Sequence, residues 1–231
     1  MTRRSAIRDE EGWLIEYDGR KVLRLSELRK ARRTDRPLYA INLKGCNGSG
    51  KSTVPIRLID EDKQWVFLTT RKDDKKPVGT ILPQMQVVVL GTYLTKCGGC
   101  DSLSDTQKVQ ELLKDLWPKN YHILFEGVIV GDIKSTFYEL MKSFRDIWPR
   151  QIEFCFMGTR LNECLRRIQR RNGGKPINEE LVKQKYLNSI NQITYYAEQG
   201  DVGVQVLDTT GNISQIIVRF MTMYPDLGPV F

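Results

Sequence analysis

Residues 45–52 read Gly-Cys-Asn-Gly-Ser-Gly-Lys-Ser, the pattern G-x-x-x-x-G-K-[ST]. Each residue type in that spacing suits the chemistry of a polyphosphate. Glycines let successive backbone N–H groups converge on phosphate oxygens where a Cβ would clash. Lys51 can reach the β- and γ-phosphates of a bound nucleotide, and the Ser52 hydroxyl can ligate Mg²⁺. The loop follows an apolar run, Tyr39–Leu43, and opens a stretch, Lys51–Ile59, that can be helical. Strand, glycine loop and helix start therefore come in the order the motif requires, which a chance Gly/Ser turn would not ensure. The positive end of the helix adds to the attraction for an anion. Gly45, Asn47, Gly48, Ser49, Gly50, Lys51, Ser52 and Thr53 are the expected contacts to the nucleotide.

A second phosphate-site signal is His122-Ile123-Leu124-Phe125-Glu126-Gly127, an apolar strand ending in a carboxylate. Such a carboxylate holds Mg²⁺ through water or accepts the proton of an attacking hydroxyl. A third signal runs from Thr159 to Gly174 and follows a strand directly. Arg167 and Arg171 share one helix face there, with Arg160 one to two turns earlier. Arginines neutralise a phosphoryl group in flight and bind phosphate bidentately. A helix ending in glycines suits a lid over about residues 159–178 that excludes water. A solvated basic face is the alternative for one or two of these arginines.

The elements that must carry these residues alternate between strand and helix, the pattern of a parallel sheet covered on both faces. Strands are expected at 39–43, 65–70, 86–90, 121–130, 152–157 and 202–207. Helices are expected at 51–59, 137–148, 161–172, 179–199 and 213–223. One more follows a capping box of Ser104 with Gln107 and carries Val109, Leu112, Leu113, Leu116 and Trp117 at helical spacing. Ahead of all this, Trp13, Ile15 and Tyr17 alternate up to Asp18-Gly19, a hairpin signal over 12–25. Ser26 is placed to cap a short basic helix through Arg33. Residues 1–38 thus read as an appendage, and 39–231 as the principal domain.

The 231 residues carry a net charge of +8 and are 40% hydrophobic, ample for a real core. No run of about 18 apolar residues exists to span a membrane. No apolar segment follows Met1–Ser5, so no secretory signal is expected. Five cysteines, an odd count, are simplest as free thiols in a reducing cytoplasm. The charge is uneven: residues 1–38 hold eleven basic side chains against seven acidic, and 160–185 hold eight against three. A basic arm beside a phosphate site points to a polyanionic second partner, with a solubilising surface as the alternative.

Taken together, Gly45–Ser52, Phe125-Glu126-Gly127, the Arg160–Gly174 segment and Val206-Leu207-Asp208-Thr209-Thr210 resemble P-loop kinases of the nucleoside and polynucleotide kinase type. That resemblance implies a three-layer α/β fold with a mainly parallel five-stranded sheet of order 2-3-1-4-5. It also implies Mg-ATP as donor and adenine packed between the base of the lid and the loop after Asp208. Neither N-K-x-D nor L-S-G-G-Q occurs, so the chain does not look like a GTPase or a transporter ATPase. More narrowly, Gly91-Thr92-Tyr93 and Cys97-Gly98-Gly99-Cys100-Asp101, followed by Phe125-Glu126-Gly127, look like bacteriophage kinases that phosphorylate 5-hydroxymethyluracil in DNA. The partner implied is then phage DNA, in the cytoplasm of a bacterial host.

Cys97 and Cys100 form a C-x-x-C, but a structural zinc site wants four ligands and no second pair exists. A redox pair would lack its usual strand and helix context, so a tight turn facing the acceptor is favoured. On that side Tyr93 can stack on a base, and Cys97, Cys100 and Arg160 are further acceptor candidates. Asp101 competes with Glu126 for the role of general base. The expected reaction is transfer of the γ-phosphoryl group to an acceptor hydroxyl, with Lys51, Arg167 and Arg171 stabilising the transferring group. A free nucleoside or nucleotide kinase, and a nucleic-acid-binding ATPase that transfers no phosphate, are the competing readings.

Overall fold

The computed structural model describes residues 4–31, 37–94, 98–103, 105–127, 130, 136–145, 147 and 150–228. Its centre is a parallel stack: β4 (Tyr39–Lys44), β7 (Val87–Leu90), β8 (His122–Glu126), β9 (Gln151–Met157) and β10 (Gly203–Leu207). These five lie in the order β7-β8-β4-β9-β10, each parallel to its neighbours. Numbered by appearance among themselves, that is the expected 2-3-1-4-5. Every residue of β4, β7 and β8 is buried. Their sequences are correspondingly almost continuous apolar runs, as strands covered on both faces must be.

The period of two divides those runs between two cores. On one side Ile123 and Phe125 meet Val109, Leu112 and Leu116 of α2 (Thr106–Leu116), with Phe137 and Met141 of α3 (Thr136–Arg145). On the other, Ile41, Leu43 and Leu124 meet Val54 and Leu58 of α1 (Thr53–Glu61), with Ile217 and Phe220 of α6 (Ile213–Met223). The arginine-rich helix is α4 (Leu161–Arg171), and α5 (Glu179–Gln199) follows it.

The sheet is wider than the sequence indicates. Beyond β7 it continues through β6 (Gly79–Leu82) and β5 (Val66–Thr69), both in antiparallel pairings. Sequence reading missed β6 because four residues between Pro77 and Pro83 look like loop. The hairpin forms as expected, with β2 (Leu14–Tyr17) and β3 (Arg20–Arg24) joined at Asp18 and Gly19, both at positive φ. It is not detached from the sheet. β3 pairs in parallel with β5, and β1 (Ala6–Arg8) adds a tenth strand at the far edge.

Three local expectations need correction. The basic helix after Ser26 is a single 3-10 turn, Leu25–Glu27, preceded by Arg24. The strand expected to reach Val130 stops at Glu126, because Gly127 takes φ 152° and turns the chain away. Helix α2 is capped by Asp105, whose carboxylate accepts from Gln107 N at 2.8 Å; Ser104 lies outside the described residues.

Candidate active site

Strand β4 delivers the chain into Gly45, and the loop runs beneath α4. A Cβ on Gly48, which sits at φ 80°, would lie 2.4 Å from the carbonyl oxygen of Cys164. Only glycine permits that approach, and it seats the arginine helix directly on the loop. Cys46 packs against Cys164, Ile168 and Val182 to complete the contact.

Lys51 donates from Nζ to the Gly45 carbonyl at 2.7 Å and to the Cys46 carbonyl at 3.2 Å, folding back over the loop as a phosphate-reaching lysine does. Ser52 occupies the N-cap of α1 yet makes no cap hydrogen bond. Its hydroxyl donates instead to Glu126 Oε1 at 2.9 Å, joining the loop to the end of β8. Glu126 is 3% exposed. Burial pushes its pKa up, while Lys51 and the Ser52 hydroxyl pull the other way. Asp101 packs against Gly127, its Oδ1 2.8 Å from where a Cβ on that glycine would stand. Two carboxylates thus meet beside the phosphate loop.

A cavity of about 680 Å³ opens over these groups. Residues Asn47 to Thr53 of the loop, Asp101 and Glu126 line it, as do Arg167 and Arg171 of α4. Arg167 is braced by Glu163, which accepts from its Nε at 2.7 Å, and its Nη1 lies 3.5 Å from the Cβ position of Gly50. Arginines beside Glu163 hold its carboxyl down at about 2, so the brace stays ionised. The remaining lining includes Thr209 and Gly211, in the expected loop after Asp208, and residues that sequence reading missed: Arg170, Gly98, Met157, Ile213 and Ile216. Arg170 was discoverable from its i+3 spacing to Arg167; the apolar residues carry no signal outside the fold.

Other expected site residues stand elsewhere. Asp208 is outside the cavity lining; it accepts from Thr210 N at 2.9 Å and pairs with Arg219 at 3.3 Å, holding the turn that presents Thr209 and Gly211. Arg160 is exposed at the N-cap of α4 and lines no part of the cavity. Cys100 has no exposed surface and belongs to the core, so it cannot face an acceptor. Tyr93 is half-buried with its hydroxyl turned inward, and its ring packs under Gly98 rather than lining the cavity. Cys97 lies outside the described residues. The four described cysteines are free and buried.

The basic arm is also more occupied than its composition implies. Arg4 donates to the Leu94 carbonyl. Arg8 is bound by the carbonyls of Gly12, Lys72 and Asp74. Arg24 is paired with Asp9, and Arg20 stacks over Trp65 at 4.4 Å. Arg29 and Lys30 remain exposed; Arg3, Arg32, Arg33 and Arg36 lie outside the described residues.

The residues present fit Mg²⁺ with a nucleotide. A hydroxyl and a carboxylate 2.9 Å apart are the hard oxygen donors Mg²⁺ selects. Among the described residues no cluster of three or more His, Cys, Asp or Glu could hold a metal unaided. The Ser49 hydroxyl is buried in the loop with no protein partner. Among the described residues no helix is long and apolar enough to cross a membrane.

Comparison with known proteins gives a consistent result. The family model described as 5-hmdU DNA kinase matches residues 21–199. The 5-hmdU DNA kinase 1 of Salmonella phage ViI is 35% identical over 154 residues, 62% of this chain and 64% of that protein. The 5-hmdU DNA kinase of Pseudomonas phage M6 is 33% identical over 153 residues, 63% of this chain and 79% of that one. That of Bacillus phage SP10 is 29% identical over 202 residues, which are 84% of this chain but 31% of the relative. The alignments therefore span less than two thirds of the ViI and SP10 proteins.

Proposed function

The chain belongs to the 5-hmdU DNA kinase family, and we propose that it transfers the γ-phosphoryl group of ATP to the hydroxymethyl oxygen of 5-hydroxymethyluracil within DNA. One observation carries the reading: Ser52 joins Glu126 at 2.9 Å beside Asp101, in a cavity also lined by the phosphate loop and by three arginines of α4. Both ends of a phosphoryl transfer are thereby provided for, the charge of the moving group and the proton of the acceptor.

The acceptor oxygen attacks the γ-phosphorus in line, a new P–O bond forms, the bond to the β-phosphate oxygen breaks, and ADP leaves. Lys51 and the arginines stabilise the oxygens of the transferring group, where charge in a dry site is worth several kcal/mol, on the order of 3. Ser52 and Glu126 would hold Mg²⁺, which would neutralise charge on the phosphates. Asp101 lines the same cavity beside Glu126, and it takes the acceptor proton while Glu126 serves the ion. Thr209, Gly211, Ile213 and Ile216 supply a polar turn and an apolar wall for the adenine. The reaction takes place wherever phage DNA is modified, in the host cytoplasm.

The test is acceptor-dependent label transfer. With γ-labelled ATP, DNA containing 5-hydroxymethyluracil should retain label, while thymine DNA and the free nucleoside should not. Label on the free nucleoside alone would favour a nucleoside kinase. DNA-stimulated hydrolysis with no labelled acceptor would favour an ATPase.

A further inference from the structure

The Tyr93 hydroxyl stands beside the carboxylates and has no task so far. It is buried, its side-chain hydrogen-bond partner is Glu126, and the turn Gly98-Gly99 bridges the two, with the Gly99 Cβ position 2.5 Å from Glu126 Oε1. Glu126 and Asp101 are the carboxylates that face it, with the buried Cys100 thiol beside them. The ring is held from several sides. A Cβ on Gly98 would lie 2.7 Å from Tyr93 Cδ1, so the Gly98 backbone rests directly on the ring. Tyr93 also packs against the core cluster of Ile41, Leu43 and Val89. Its neighbour Leu94 packs with Leu14, Val22 and Phe67, and its carbonyl receives Arg4. The phenol therefore cannot swing out to meet a substrate, and its oxygen has no surface to offer one.

We propose that Tyr93 is a positioning residue that, together with the Ser52 hydroxyl on Oε1, fixes the Glu126 carboxylate for Mg²⁺. This rests on the reading of Glu126 as a metal-holding carboxylate. Ser52 fixes one oxygen of the carboxylate, at 2.9 Å. A carboxylate held at one oxygen still rotates about its last torsion. A phenol hydroxyl donating to the carboxylate from a clamped ring removes that freedom. Groups that orient a metal-holding carboxylate typically matter by about 10–100-fold in metal affinity or activity.

Tyr93→Phe keeps the ring and its seat under Gly98 and removes only the hydroxyl. The Mg²⁺ concentration giving half of the thermal stabilisation by a non-hydrolysable ATP analogue should rise about 10-fold. Turnover at limiting Mg²⁺ should fall by a similar factor, and recover as MgCl₂ is raised, with the KM for DNA unchanged. Mg²⁺ dependence within twofold of the parent would overturn the proposal. A raised KM for DNA with unaltered Mg²⁺ dependence would overturn it too, returning Tyr93 to acceptor contact. The thermal-shift arm needs no acceptor, so it decides the role of Tyr93 even if the parent labels no hydroxymethylated DNA.

Discussion

Ser52 stands at the N-cap of α1 but gives its hydroxyl to Glu126 Oε1, 2.9 Å away, instead of to its own helix. A serine cap is ordinarily worth about 1 kcal/mol. Here that stabilisation is forgone and the hydroxyl ties the phosphate loop to the strand that carries the carboxylate. Local stability has yielded to geometry, which is the mark of a working site.

The two substitutions at this contact separate function from folding. Ser52→Ala removes no cap bond, so its melting temperature should stay within a few degrees of the parent, while turnover falls by at least about 10-fold. Glu126→Gln should lower turnover further, and added Mg²⁺ should not restore it. Asp101→Asn should cost about 10²–10⁴-fold in turnover, the scale of losing a general base, with Mg²⁺ dependence unchanged. Steady-state kinetics across a Mg²⁺ titration check all three. A mild Asp101→Asn effect would remove that residue from the proton's path.

How much of this was legible in the sequence depends on how local the signal is. The phosphate loop, Glu126 and the arginine face of α4 are contiguous patterns with a chemical reason, and the structure brings them to one cavity. The parallel order followed from the resemblance those patterns carry. Thr209 and Gly211 lie in the loop after Asp208 that the resemblance implied for adenine, whereas nothing in their own neighbourhoods marks Met157, Ile213 and Ile216. Cys100 and Tyr93 were misplaced for a different reason. A glycine-rich turn looks exposed in sequence, but here Gly98 and Gly99 let it fold tightly onto Tyr93 and Glu126, burying what it carries. The arm was overcounted as a charge reservoir because sequence does not reveal that carbonyls and carboxylates occupy Arg4, Arg8 and Arg24.

Arginines of α4 should act on the transferring group more than on the resting nucleotide. Arg170→Ala and Arg171→Ala should each reduce turnover at least about 10-fold while shifting ATP affinity less than threefold, since the charge they meet is greatest in the transition state. Nucleotide titration alongside single-turnover rates checks this. Equal losses in both would make them binding residues only.

DNA affinity should fall steeply with salt, but the arm should contribute unevenly. Arg29→Ala and Lys30→Ala remove exposed charges, and each should reduce the log–log salt slope by up to about 1. Arg4→Ala and Arg8→Ala remove guanidiniums already bound to carbonyls and should leave the slope unchanged. Filter binding between low and moderate salt distinguishes the two pairs, and a flattened slope for Arg4→Ala would contradict its structural role.

A buried carboxyl away from the site sets a pH dependence of stability. Glu153 on β9 is 9% exposed, lies beside Gly203 of β10, and has one oxygen without a partner. Burial pushes its pKa up from 4.5 to about 7. The folded chain therefore holds this proton more tightly than the unfolded one. Its contribution is intact below the unfolded value and is lost as pH rises through about 7. The loss is on the order of 3 kcal/mol. Glu153→Gln should melt higher than the parent at pH 8 and lose that advantage toward pH 4. Thermal melts across that range test it, and a gap independent of pH would show that ionisation is not the cause.

The most direct test of the central claim is where the phosphate goes. DNA containing 5-hydroxymethyluracil is incubated with the chain, MgCl₂ and ATP, digested to nucleosides without phosphatase action on the base, and analysed by mass spectrometry. The prediction is a nucleoside heavier by one phosphoryl group on its hydroxymethyl oxygen, absent when Lys51→Ala replaces the parent and absent from thymine DNA. Phosphate found at a strand end instead, or an unmodified base with ATP consumed, would contradict it.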